Sequence, residues 1–183
     1  MKIGVLVGSL REGSYTRMLA QAIMNRLPED FTAEFIEIRD LPFYNEDFDT
    51  EEKLPKEVRA FRERVSEFDA ILLATPEYNR SVPPVLKNAM DTGSRPYGES
   101  VWNGKPVAVI SASPGAIGGF GANHHLRQSI SFLNMPILQQ PEVYFGGVHE
   151  KFNENGEPID TDTEGFIQLI ADAYAEHVRK NLA

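Results

Sequence analysis

The chain has 183 residues, 42% hydrophobic and 25% charged, with 18 basic against 27 acidic side chains and a formal charge of −9. That length and composition fit one globular domain, residues 1–183, with a full core, and the acidic balance argues against nucleic-acid binding, which leans on a basic surface. There are no cysteines, which excludes disulfides, thiolate metal sites, cysteine-bound iron–sulfur clusters and a cysteine nucleophile, and no apolar run approaches the roughly 18 residues of a membrane span.

Residues 2–8, KIGVLVG, read as a buried first strand and not as part of a signal peptide. Tyr15, Met18, Leu19, Ala22 and Ile23 then recur at helical spacing. FTAEFIEI (31–38) alternates and predicts a second strand; the next stretch, LPFYNEDFDTEEKLP, reads as a loop. KEVRAFRERVSEF (56–68) places Val58, Phe61 and Val65 on one helical face. DAILLATP (69–76) is an apolar run closed by proline, a third strand. PPVLKNAMD (83–91) opens with prolines suited to a helix's first turn. KPVAVISAS (105–113) predicts strand four and GANHHLRQSISFLNM (121–135) a helix. ILQQPEVYF (137–145) predicts strand five, with Pro141 marking an edge or bulge. TEGFIQLIADAYAEHVRKNL (163–182) closes with Phe166, Ile167, Ile170, Tyr174 and Val178 on one stripe. Strand and helix alternate throughout, which predicts an α/β fold: a doubly wound five-stranded parallel sheet with helices on both faces.

In such a sheet ligands bind beyond the carboxyl ends of the strands, so the loops after strands one, three and four carry the functional reading. The first, GSLREGSYTR (8–17), has the glycine offset of a Walker A loop but Ser14 where lysine is needed, and it lacks the dinucleotide fingerprint. What remains is a turn with hydroxyls at Ser9, Ser14 and Thr16 feeding a helix N-terminus, with Arg11 and Arg17 as forked donors, which fits a phosphate monoester. Ser14 could equally be a plain N-cap. The second, TPEYNRSVPP (75–84), offers Tyr78 as an aromatic face, Asn79 for unusual backbone angles and Ser81 where a cap could sit. The third, SASPGAIGGFGANHH (111–125), has Ser111, Ser113 and glycines including Gly115 that admit close backbone approach. Its His124 and His125 do not make a metal site, because adjacent helical residues point about 100° apart and no further ligand is placed by spacing. Together the loops fit a phosphate at one end and a flat heterocycle at the other.

GSLREGSYTR, LPFYNED, PEYNRSVPPVLKNAMD, the SRP at 94–96 and SASPGAIGG resemble the flavodoxin-like NAD(P)H-dependent FMN reductase family, in its quinone, chromate and azo-dye reductase branch. The resemblance implies FMN as cofactor and NADPH or NADH as co-substrate. It places Ser9, Arg11, Ser14 and Arg17 on the FMN phosphate with Tyr15 and Thr16 nearby. Pro76, Glu77, Tyr78, Asn79 and Ser81 would meet the ring and ribityl, and Ser111, Ser113 and Gly115 would close the other side. It implies no side-chain acid or base, since the flavin carries the chemistry. It also implies small-molecule acceptors, no nucleic-acid or membrane partner, a cytoplasmic location and a homodimer or homotetramer, with LPFYN and the helix from Pro84 as candidates for burial between subunits. A flavin reductase that releases reduced FMN to a partner, a flavodoxin-type electron carrier and a flavin-free phosphate-binding domain are the alternatives. Arg80 and Arg95 could serve an anionic ligand or stand as solvated charges.

Overall fold

The computed structural model describes residues 1–183. Five strands, β1 (Lys2–Val7), β2 (Thr32–Phe35), β3 (Ala70–Thr75), β4 (Val107–Ala112) and β5 (Val143–Phe145), form one sheet in the order β2-β1-β3-β4-β5, and every neighbouring pair is parallel. The helices are α1 (Tyr15–Met24), α2 (Lys56–Ser66), α3 (Pro84–Gly93), α4 (Phe120–Phe132) and α5 (Thr161–Leu182). Alternate residues of β1, β3 and β4 enter opposite cores. Ile3, Val5, Leu72 and Ile110 pack with Leu19 and Ile23 of α1 and Ile167, Ile170 and Tyr174 of α5. Leu6, Ile71, Leu73 and Val109 pack with α2, α3 and α4 through Phe61, Val65, Leu86, Met90, Leu126 and Ile130. Burial on both faces is why β1, β3 and β4 are continuous apolar runs.

Both edge strands are shorter than predicted. Beyond β2 only the Ile36 N–H bond to the Val5 carbonyl continues the ladder. The expected strand at 137–145 is broken: Ile137 makes one isolated parallel bridge with Val107, Leu138 N–H bonds the Val107 carbonyl, and the chain rejoins the sheet only at Val143. Between them lies Pro141, which has no N–H to donate to a ladder. The apolar face of α3, Leu86, Ala89 and Met90, is ordinary core, whereas Phe43 of the LPFYN segment is 77% exposed. No helix is long and apolar enough to cross a membrane.

Two details set stability. Trp102 is fully buried, and its indole N–H donates to the Met90 carbonyl at 2.9 Å. Its ring lies where a β-carbon on Gly93 would stand, 2.6 Å away. Asp160 caps α5, accepting from the Thr163 backbone N–H and hydroxyl at 2.8 Å each. Those two bonds, the backbone one first, hold its carboxyl below the ordinary 3.8.

Gly93→Ala is expected to lower the urea midpoint by the equivalent of about 1–3 kcal/mol, the usual range for overpacking a filled core; an unchanged midpoint would show that Trp102 can move aside. A depressed folded-state pKa stabilises above the unfolded value and is lost as pH falls through the folded one. Asp160→Asn keeps a capping oxygen without the titration, so the variant should lose less stability than wild type as pH falls below about 4, measured as urea midpoints against pH. Parallel acid profiles for the two proteins would remove Asp160 from the account.

Candidate functional site

The three loops singled out in the sequence follow β1, β3 and β4, which are immediate neighbours in the sheet. Between β1 and β3 the connections part: α1 packs on one face and α3 on the other. That makes this the topological switch point where doubly wound sheets leave a crevice. The Gly8 N–H donates to the Ala74 carbonyl at 2.8 Å, the last ladder bond before the chains diverge. A β-carbon on Gly8 would come within 3.2–3.3 Å of Leu86 and Pro76, so glycine is what lets the first loop start flush against the second.

Ser14 is the N-cap of α1; its backbone is extended and its hydroxyl oxygen accepts the Arg17 N–H at 3.3 Å. The capping reading is therefore correct, and it does not exhaust the loop. Between Gly8 and Arg17 no backbone N–H finds an acceptor in the chain, which leaves a run of donors, residues 9–16, at the positive end of α1. The Arg11 guanidinium donates to the Gly13 carbonyl at 2.5 Å and lies 5.1 Å above the Tyr15 ring. Arg17 leans toward β2, 3.3 Å from Glu37 and 3.8 Å above the Phe35 ring. A third arginine, Arg39, donates to the Leu10 carbonyl at 3.0 Å. Ser9, Arg11, Arg17 and Arg39 border one cavity of about 230 Å³. The Arg17–Glu37 pair is exposed (45% and 70%), and such a pair contributes about 0–1 kcal/mol. Charge-assisted bonds to an anion contribute about 1.5–3 kcal/mol, so a phosphate can draw Arg17 away. Thr16 is buried in the first helical turn and is less accessible than its neighbours.

In the second loop Tyr78 and Ser81 exchange both backbone hydrogen bonds, at 3.1 and 3.0 Å, around Asn79 (φ 51°) and Arg80 (φ 65°). Two left-handed residues at the centre are the mark of a type I′ turn. Glycine is usual at the second position, and Arg80 there costs about 1–2 kcal/mol. The Glu77 carboxylate accepts the Ala122 N–H at 3.1 Å at the start of α4 and lies 3.4 Å from Arg80. Ser81 is not the cap of α3. That helix starts at Pro84 with Pro83 as its capping residue, and the Ser81 hydroxyl instead sits 3.0 Å from His125 Nδ1.

In the third loop the Ser113 hydroxyl accepts the Gly115 N–H at 3.1 Å. Ser111 does not belong to the exposed set. It is fully buried, donates to the Val143 carbonyl at 3.1 Å and lies 3.3 Å from Asn123 Nδ2, because its place in β4 turns the hydroxyl into the core. A β-carbon on Gly121 would come 2.8 Å from the Arg80 carbonyl and 3.0 Å from Glu77 Oε2, so this glycine seats the second loop on α4. His124 points elsewhere than His125: its Nε2 lies 2.9 Å from the Tyr144 hydroxyl, and Phe120 packs against both rings. Burial first, then Glu142, pushes the Tyr144 phenol above its ordinary value.

The arrangement thus offers clustered amide donors and three arginines at one end, and a half-exposed aromatic turn beside a glycine loop at the other. That fits a phosphorylated flavin. A larger cavity of about 550 Å³, between α2 and residues 95–101, offers an anion less, because the carboxylates Asp49, Glu51, Glu63 and Glu99 line it beside Arg59, Arg62 and Arg95. Sequence reading missed Arg39 and the partners of Glu77 and Ser81; the local pattern around Arg39, IEIRDLP, carries no signal that it returns to the first loop.

The sequence profile of the NADPH-dependent FMN reductase family matches residues 1–150. The chain is 50% identical over 181 residues to a quinone reductase of Pseudomonas putida, covering 99% of this chain and 96% of that one. It is 44% identical over 179 residues to a 2-hydroxy-1,4-benzoquinone reductase of a Burkholderia species, covering 98% and 97%. Among solved structures it is similar to FerB, a flavoenzyme NAD(P)H:(acceptor) oxidoreductase of Paracoccus denitrificans, with TM-score 0.91, 35% identity and 98% of each chain covered.

Glu77→Ala should leave the Ala122 N–H without its acceptor and destabilise the chain by about 1–3 kcal/mol, while Glu77→Gln keeps an oxygen there and stays near wild type. Urea unfolding and amide exchange at Ala122 check this; equal losses in both variants would shift the role to the charge facing Arg80.

Proposed function

The chain belongs to the NADPH-dependent FMN reductase family, and from that premise we propose how it works: one domain that keeps FMN at the β1/β3 crevice while it turns over. It is an FMN-dependent NAD(P)H oxidoreductase that reduces quinones. The observation that carries the cofactor assignment is the run of unpartnered N–H groups at 9–16 between Arg11, Arg17 and Arg39.

When bound, FMN supplies the two-electron chemistry, taking a hydride equivalent from NAD(P)H and passing it to the acceptor. The chain's own residues bind and orient. Ser9, Arg11, Ser14 and Arg17 hold the phosphate with the free amides of the loop, and Tyr15 and Thr16 border it. Pro76, Glu77, Tyr78, Asn79 and Ser81 present the turn to the ring, with Glu77 fixing that turn to α4 through Ala122. Ser113 and Gly115 shape the opposite wall. Ser111 contributes from beneath, by tying β4 to β5 and α4. Backbone N–H groups of the loops at 77–81 and 111–115 would stabilise negative charge on the ring.

The finer reading is that quinones are the main acceptors, with chromate and azo compounds as further substrates, and that the enzyme works in the cytoplasm as a homodimer or homotetramer. The 77% exposed Phe43 and 89% exposed Tyr97 support association of copies through that side of the molecule.

The test is anaerobic. FMN-loaded protein is mixed with NADPH and the flavin absorbance followed. Rapid bleaching, reversed by a quinone with the flavin still bound after gel filtration, is the expected outcome. Flavin that binds but is not bleached by NADPH or NADH would mean an electron carrier, and flavin lost on reduction would mean delivery to a partner. Arg11→Ala should weaken FMN binding about 10- to 100-fold, the loss of a charge-assisted contact, measured by quenching of FMN fluorescence. Unchanged affinity would move the phosphate elsewhere.

A further inference from the structure

Reduction of a quinone adds a hydrogen to each of its two carbonyl oxygens. Two electrons and one proton arrive as the hydride equivalent that NAD(P)H gives up in becoming NAD(P)⁺. The second proton must come from another donor. Few side chains at the loop edge can give one. The arginines do not release protons in this range, and Glu77 is bound by Ala122 N–H and Arg80. The Tyr144 phenol is raised and engaged with His124. Of the four histidines, His177 holds the Pro136 carbonyl and His149 lies beside Glu150.

His125 is different. It is exposed on α4, and its Nδ1 lies 3.0 Å from the hydroxyl of Ser81, the residue that closes the turn. The pair borders a cavity of about 440 Å³ together with Val82, Lys87, Gln128 and Ser129. We propose that His125 and Ser81 form a relay that delivers the second proton to the bound acceptor; this rests on the FMN-dependent reading above. Protonated His125 donates from Nδ1 to Ser81 Oγ, which frees the serine O–H to point toward the acceptor. The Nδ1–H bond then breaks as the Ser81 hydroxyl passes its own proton to the acceptor oxygen, and the neutral imidazole is reprotonated from solvent through that cavity. Histidine is suited to this because it changes charge near neutral pH. The charged groups around the pair are engaged with one another or with other partners. Lys87 of α3 is paired with Asp91 at 2.7 and 2.8 Å, and Arg80 of the turn with Glu77. On α4 itself, His124 faces Tyr144 and Arg127 bonds Asn123 at 2.9 Å.

The experiment compares FMN-loaded wild type with His125→Gln, using benzoquinone and, as a one-electron acceptor that takes no proton, ferricyanide. The expected result is a quinone half-reaction slowed about 10²-fold, the scale of a lost general acid, with ferricyanide reduction far less affected. The wild-type quinone rate should fall as pH rises, as for a reaction that needs a general acid, and the variant's rate should be flat. Free imidazole should restore part of it. Independently of turnover, the histidine ¹⁵N spectrum of flavin-free protein should show His125 Nδ1 shifting in Ser81→Ala. Equal losses for both acceptors, an unchanged quinone rate, or a His125 signal indifferent to Ser81→Ala would overturn the relay. A chain that binds no FMN would remove the reading beneath it and the relay with it, and flavin titration separates that failure from the others.

Discussion

The bond from the Gly8 N–H to the Ala74 carbonyl is the hinge of the functional end of the molecule. It is the last rung between β1 and β3, and past it one chain enters α1 on one face while the other runs on toward α3 on the opposite face. Two parallel strands paired to their final residue, then forced apart by helices on opposite sides, leave a crevice that neither chain fills. The loop at 8–17, the aromatic turn and the arginines around them depend on that divergence. So does the positive end of α1, which points into the crevice because the strand before it ends there.

The loops that line the crevice are positioned mainly by backbone. The turn at 78–81 closes on two of its own backbone hydrogen bonds, Glu77 reaches across to an amide of α4, and Gly121 brings the Arg80 carbonyl against the start of that helix. A site set by main-chain geometry has donors that need no side-chain rotamer to be fixed, which suits a cofactor whose chemistry asks for orientation and charge stabilisation. The strain at Arg80 fits this picture. A left-handed arginine is tolerated because its surroundings, through Glu77 and Ser81, hold the turn from both ends.

Much of this was legible in the chain itself, for a physical reason. β1, β3 and β4 are buried on both faces, so their sequences are unbroken apolar runs, and the helices carry plain amphipathic spacing. The edges were harder. Ile137 and Leu138 are apolar enough to promise a strand, yet only a single bridge forms before Pro141. The first loop stood out through its glycines, hydroxyls and arginines. Ser111 misled, because a hydroxyl beside a glycine loop looks exposed until strand phase turns it inward. Arg39 with Leu10, Glu77 with Ala122 and Ser81 with His125 lie 29, 45 and 44 residues apart, distances over which local pattern carries no information.

The short edge strands have a consequence for assembly. β2 has four residues and β5 three, and just before β5 Pro141 interrupts what could have been a longer open edge. A sheet that ends in such stubs presents too few free N–H and C=O groups to pair with a second sheet. Joining two copies edge to edge into a continuous ten-stranded sheet is therefore disfavoured. Any pairing of copies is left to the helical faces and the loops.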